Sequence, residues 1–159
     1  MRHLFWFVVA VLFAISAVQA GSFAEREGWM VIPTKHSYAD LVQRVNAAVK
    51  SEKMGLVTRA SASAGAKGLG ITIPGNMIIG VYRNDYATRM LEASVTAGIE
   101  APIRFYVTDN EDGTATLSWK TPSFVFEPYM GEGGAALAEL ARELDQVFTK
   151  IADKAVAAQ

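Results

Sequence analysis

The run IRFYVTDNEDGTATLSWK, Ile103 to Lys120, restricts the fold more than any other part of the chain. Before NEDG the apolar side chains Ile103, Phe105 and Val107 fall at every second position, and after it Ala115, Leu117 and Trp119 do the same. A period of two puts each set on one face of a strand, and a short polar loop with a glycine joins antiparallel neighbours. A β-hairpin with one buried face is therefore predicted.

Around this hairpin, strand and helix signals alternate. GWMVIPT reads as a first strand, and Ser37 with Asp40 three residues on marks a helix start. Leu41, Val42, Val45, Ala48, Val49 and Glu52 continue at helical spacing to about Lys53, where Gly55 is expected to stop the helix as a left-handed cap. LVTRASA gives a second strand, SAGAKGLG a flexible joint, and NMIIGVYR a third strand. A second helix is predicted from Asn84 or Asp85 to about Ala97, ended by Gly98 and kept short by Pro102. After the hairpin, TPSFVFEPYMGEGG reads as an aromatic loop. Leu137, Leu140, Leu144, Val147 and Ile151 then make a long amphipathic helix, whose stripe suits a core face or a subunit seam. The order β-α-β-β-α-β-β-α predicts an α+β fold, a single-domain two-layer sandwich with a largely antiparallel sheet and helices on one face. A doubly wound parallel sheet would need a helix between nearly every pair of strands, which two pairs lack.

The N-terminus belongs to a different class of segment. Arg2 and His3 precede LFWFVVAVLFAISAV, and small residues follow up to Ala20. This is the pattern of a secretory signal peptide, residues 1–20. Fifteen apolar residues at helical rise reach about 22 Å, short of the roughly 30 Å hydrocarbon core, which argues against an uncleaved anchor. Residues 21–27 form a lead-in and 28–157 the domain. The expected location is periplasmic or secreted, with no membrane contact after cleavage. There is no cysteine, so disulfides, thiolate chemistry and a lipoprotein anchor are excluded. A net charge of −1 with scattered Lys and Arg gives no basic stripe, so no nucleic-acid partner is expected.

Catalytic signals are thin. His3 lies in the leader, and His36 alone cannot build a two-histidine metal site, so no metal and no cofactor are expected. SAGAKGLG fails the P-loop pattern because Lys67 precedes its glycine. Asp109, Glu111 and Asp112 lack the spacing of an EF-hand loop. Ser61, Ser63, Ser118 and Ser123 have no histidine to activate them, and no catalytic residue is assigned.

Two places remain as candidate ligand sites. One is the polar knot of Tyr82, Arg83, Asn84, Thr88 and Arg89 at the start of the second helix. Asn84 or Asp85 can cap that helix while the arginines are solvated flanks, or the helix start and the arginines can form an anion pocket. The other is the aromatic set Phe124, Phe126 and Tyr129, which suits a lid on the core, a binding groove or a subunit contact.

The segments ATRML, GIEAPIRFYV, EDGTATLSW and TPSFVF, in that order between Ile78 and Phe124, resemble the bacterial and archaeal family known as domain of unknown function 302. Thr88 matches its helix-start threonine, Met90 and Leu91 its apolar pair, Pro102 its hairpin-entry proline, Gly113 its hairpin glycine and Pro122 its last proline. The likeness runs from about Gly28 to Met130. It departs at Tyr82, Arg83 and Asn84, where relatives carry Gly-Asn-Pro, and at Ser61 or Ala62 and Tyr129, where many carry histidine. The resemblance implies a compact α+β domain, similar to small domains that pair as homodimers, with no established activity. Together these readings predict an exported, non-catalytic module that binds a small ligand or an envelope protein partner. The alternatives are an enzyme holding an anionic substrate with Arg83 and Arg89 and using Tyr82 or Tyr86 as the acid, or an envelope structural or stress protein.

Overall fold

The computed structural model describes residues 26–158. The predicted leader lies outside the described residues. Strand β1 (Trp29–Pro33) leads to α1 (Tyr38–Ser51), β2 (Gly55–Ala60), α2 (Ala62–Gly68), β3 (Asn76–Tyr82) and α3 (Asn84–Ala93). A 3-10 turn (Thr96–Glu100) precedes β4 (Ile103–Asp109) and β5 (Ala115–Lys120). Helix α4 (Pro122–Phe126), a 3-10 turn (Glu127–Tyr129) and α5 (Met130–Val156) complete the chain. The five strands form one sheet in the order β1-β5-β4-β3-β2, with every neighbour antiparallel. The α+β sandwich is as the sequence predicts.

The hairpin alternation sets the core. Ile103, Phe105 and Val107 of β4 and Ala115, Leu117 and Trp119 of β5 are buried, joined by Ile79 and Val81 of β3. Phe105 stacks on Phe148 of α5 at 4.7 Å between ring centres and meets Trp119 edge-on at 5.4 Å. Gly113, at φ 80°, supplies the left-handed residue of the hairpin loop. The stripe of α5 buries Leu137, Leu140, Leu144, Phe148 and Ile151, so it is a core face. Arg44 of α1 donates to the carbonyls of Ala155 (2.6 Å) and Ala157 (2.5 Å), tying α1 to the C-terminal end of α5, where the dipole favours a cation. His36 sits at the same junction, 3.0 Å from Asp40 and 3.4 Å from the Val156 carbonyl.

Several local expectations are corrected. Ser37 caps α1 as read, accepting from the Asp40 N–H at 3.3 Å, but the left-handed residue after it is Lys53 at φ 58°. Gly55 opens β2 instead, and a Cβ there would stand 3.2 Å from the Tyr82 carbonyl, so close strand approach explains the glycine. The joint after β2 is partly helical: Ser61 caps α2, and the Asn76 side chain accepts the Ala62 N–H at 2.8 Å. Helix α3 ends at Ala93, because Ser94 is extended and its hydroxyl, with that of Thr96, donates to Glu132 at 2.8 and 2.6 Å. The aromatic loop is a short helix: Thr121 accepts the Phe124 N–H, and Pro122 occupies the first turn, where its missing N–H costs nothing.

Candidate functional site

The residues singled out in the sequence separate into three places. At the start of α3, Arg83 is the N-cap residue and makes no side-chain cap, and neither Asn84 nor Asp85 takes that role. Arg83 instead grips Asp85 with two bonds of 2.6 and 2.9 Å and lies 4.1 Å from the centre of the Tyr86 ring. Arg89 makes a bidentate pair with Glu143 of α5, both bonds 2.7 Å. These bonds hold the Asp85 and Glu143 carboxyls below the usual carboxylate range and push the Arg89 guanidinium up. Thr88 donates back along its helix to the Asn84 carbonyl at 3.0 Å. The knot is thus two arginines already neutralised by the chain's own acids.

Beneath the knot, Tyr82, Arg83, Tyr86 and Phe126 line a void of about 30 Å³, on the scale of one water. Phe126 is fully buried and belongs to the core. Phe124 packs under Gly28, whose φ of +72° and missing Cβ let the ring come within 2.0 Å of where that atom would stand. The Tyr129 hydroxyl donates to Glu100 at 2.8 Å, and that bond raises its pKa. Ser123 donates its N–H and hydroxyl to Asp145, at the entry to α4. At the hairpin tip, Asp112 accepts from the Thr114 N–H and hydroxyl, which lowers its pKa, and among the described residues no group of acids and histidines is placed to hold a metal.

A larger concavity lies where β1, β3, β4 and β5 meet α4 and the 3-10 turn before β4. The alternation that buries Phe105 and Leu117 turns Arg104, Tyr106, Ser118 and Lys120 the other way. Strand pairing then assembles two rows. Ile78, Tyr106, Ser118 and Val31 stand side by side across four strands. In the next row Gly80 pairs with Arg104 and Lys120 with Trp29, while the Phe105–Trp119 pair sets Arg104 beside Lys120. Ser118 is fully buried between its larger neighbours. Beside these rows lies a groove of about 230 Å³ lined by Trp29, Ile78, Arg104, Tyr106 and Lys120, together with Glu100, Ile103, Trp119 and Val125 of α4.

Its electrostatics are opposite to those of the knot. Lys120 and Arg26 each lie 5.7 Å from the Trp29 ring centre, and among the described residues no carboxylate pairs with Arg104 or Lys120. Like charges on adjacent strands repel, so this arrangement costs stability unless an anion stands between them. Chemically, the groove can hold a negatively charged group beside Arg104 and Lys120. Sequence reasoning missed it, although the outward positions of β4 and β5 were a usable signal.

Comparison with known proteins places this geometry in a family. The crystal structure of an uncharacterized conserved protein DUF302 from Bacillus stearothermophilus matches with a TM-score of 0.71 at 18% identity, covering 82% of this chain and 99% of that one. At that identity the likeness carries the fold alone. Curated relatives include the fluoride-specific ion channel FluC 1 of Brucella suis biovar 1 (strain 1330) and FluC 1 of Brucella abortus biovar 1 (strain 9-941). Each is 29% identical over 98 residues, 62% of this chain. The match covers 39% and 36% of their respective lengths, so the chain spans well under half of the curated relatives it matches. No helix among the described residues is long and apolar enough to cross a membrane. The family described as Domain of unknown function DUF302 matches residues 30–155, nearly the whole folded part, and the chain belongs to it.

Proposed function

We propose that this chain is an exported, periplasmic, non-catalytic binding module whose ligand site is the groove between Arg104 and Lys120 of the sheet and Val125 of α4. The observation that carries the reading is the pair of adjacent cations without a carboxylate partner, Arg104 and Lys120, set in an aromatic concavity. A confined groove suits a small ligand better than the broad, flatter contact a protein partner makes. The signal-like pattern from Arg2 to Ala20 supports export.

Native mass spectrometry of the protein purified from its own cells tests this. A retained small molecule is expected, released when Arg104 and Lys120 are both replaced by glutamine, on a chain beginning at Gly21. Protein that carries nothing when prepared gently would overturn the ligand reading, and a chain still bearing Met1 would overturn the export reading.

Self-association has separate support. Leu69, Ile71 and Ile73, on the segment after α2, are 79, 54 and 40% exposed, and Leu91, Val95 and Ile99, around the end of α3, are 45, 77 and 80% exposed. Apolar surface of this kind on a folded domain favours burial against a partner, and a homodimer is the proposed assembly. Light scattering should give twice the monomer mass. A Leu69→Lys variant should return the monomer.

A further inference from the structure

Resting on the reading that this chain self-associates, we infer that its homodimer joins unlike patches: the exposed basic edge at Leu69, Ile71 and Ile73 of each copy docks on the exposed acidic surface at Leu91, Val95 and Ile99 of the other. Both patches are apolar, and charge tells them apart. Residues 53–84 contain no Asp or Glu. Lys67, two positions before Leu69, and Arg59, on the edge strand β2, are exposed and have no carboxylate partner among the described residues. Residues 90–103, in contrast, contain no Lys or Arg, and the exposed Glu92 follows Leu91 there. Glu132 adds a second acid to that surface, because the Ser94 and Thr96 hydroxyls on either side of Val95 donate to it at 2.8 and 2.6 Å and keep it ionised.

Like patches repel. Two basic patches in contact would set Arg59 and Lys67 against their own copies, and two acidic ones would do so with Glu92 and Glu132, whereas the unlike contact buries the same apolar side chains with opposite charges at its rim. Position supplies the closure. The first patch leads into Asn76, where β3 begins, and the second lies on the excursion that leaves β3 at Tyr82 and returns at Ile103, the partner of Val81. The patches therefore belong to opposite ends of β3, and two copies laid antiparallel along that strand meet twice, each contact the twofold mate of the other. A pair joined by one contact alone would leave a patch free on each molecule and grow into a chain.

The test is sedimentation velocity of the processed protein at low salt, with charges reversed singly and together. Lys67→Glu and Glu92→Lys should each weaken the dimer by about tenfold or more, since every reversal acts in both twofold-related contacts, and the variant carrying both should return to within about threefold of the parent. Arg59→Glu replaces Lys67→Glu, in the same pairing with Glu92→Lys, should the first fold poorly. The absence of cysteine from the chain gives a second readout. With a short bis-maleimide, Leu69→Cys mixed with Val95→Cys should yield a covalent dimer, and neither variant should do so by itself. Single reversals that leave the dimer unchanged, a double variant no tighter than the singles, crosslinking of Leu69→Cys alone, or masses that climb past the dimer would each overturn the pairing while self-association stands. A parent that stays monomeric as its concentration is raised takes down both readings together.

Discussion

The knot at the start of α3 and the groove across β1, β5 and β4 contain the same ingredients: two cations beside aromatic rings. They differ in what surrounds the charge. Arg83 and Arg89 reach Asp85 and Glu143 at 2.6 to 2.9 Å, whereas Arg104 and Lys120 stand opposite one another on neighbouring strands. A cluster of charged residues therefore says little about a site until its internal pairing is known. In the knot the chain neutralises its own cations, and in the groove two cations stand without a carboxylate partner among the described residues.

The largest test of this contrast concerns what each region is built upon. The knot rests on Phe126, which is fully buried against the core. Phe126→Ala should cost about 3–5 kcal/mol of stability, read from urea denaturation. A loss below about 1 kcal/mol would mean that the ring is a detachable lid and that the knot could open as a site.

The groove's outer wall depends on the chain just before β1. There the Gly28 carbonyl accepts the Thr121 N–H at 2.8 Å and the Phe124 ring fills the space beside the glycine. Gly28→Ala adds a left-handed backbone penalty to a steric clash, and about 2–4 kcal/mol of destabilisation is expected. Chemical denaturation measures the loss, and amide shifts at Trp29 and Lys120 should report a displaced wall. A variant as stable as the parent would show that Phe124 does not occupy that space.

Single charge removals should separate the two regions by sign. Without ligand and at low salt, Arg104→Gln should raise stability by about 0.2–1 kcal/mol, because a cross-strand repulsion is lost. Arg83→Ala should lower it by less than about 1 kcal/mol, because an exposed ion pair is lost. Thermal melts of both proteins in one buffer are the measurement. Changes of the same sign would end the contrast.

How far the sequence reaches follows from the range of the interactions. The hairpin was readable because its alternation is local, and the buried stripe of α5 because Leu137 to Ile151 carry it within one helix. The boundaries that failed were set by contacts from elsewhere: Glu132 captures Ser94 and Thr96 and cuts α3 short, and the Tyr82 carbonyl explains Gly55. The arginines of the knot looked available because Glu143 lies 54 positions beyond Arg89. Half of the groove was within reach, since the face opposite Phe105 holds Arg104 and Tyr106. The other half, Trp29 and Ile78, is brought there by β1 joining β5 and β3 joining β4, pairings that no local pattern encodes. The family motifs mark turns and helix ends, such as Gly113 and Pro122, so the resemblance located the fold and was silent on the groove.

The smallest effect expected is a difference in acid response. Asp85 and Glu143 have folded-state pKa values lowered from 3.8 and 4.5 by their bonds to Arg83 and Arg89. A lowered carboxyl binds fewer protons when folded than when unfolded, so its contribution is complete above the unfolded value and disappears as pH falls through the folded one. Stability carried by the knot should therefore decline below about pH 4.5 and continue to fall past 3.8. Glu143→Gln should flatten that decline slightly, and salt should shrink the difference because the pair is exposed. Glu52, Asp112 and Glu132, also lowered, keep their share in every variant. Lys120→Gln should leave the acid limb unchanged, since Lys120 has no carboxylate partner among the described residues. Thermal midpoints between about pH 3 and 6 decide the matter. An acid limb altered by Lys120→Gln and untouched by Glu143→Gln would mean that the compensated pair lies in the groove and the uncompensated one in the knot.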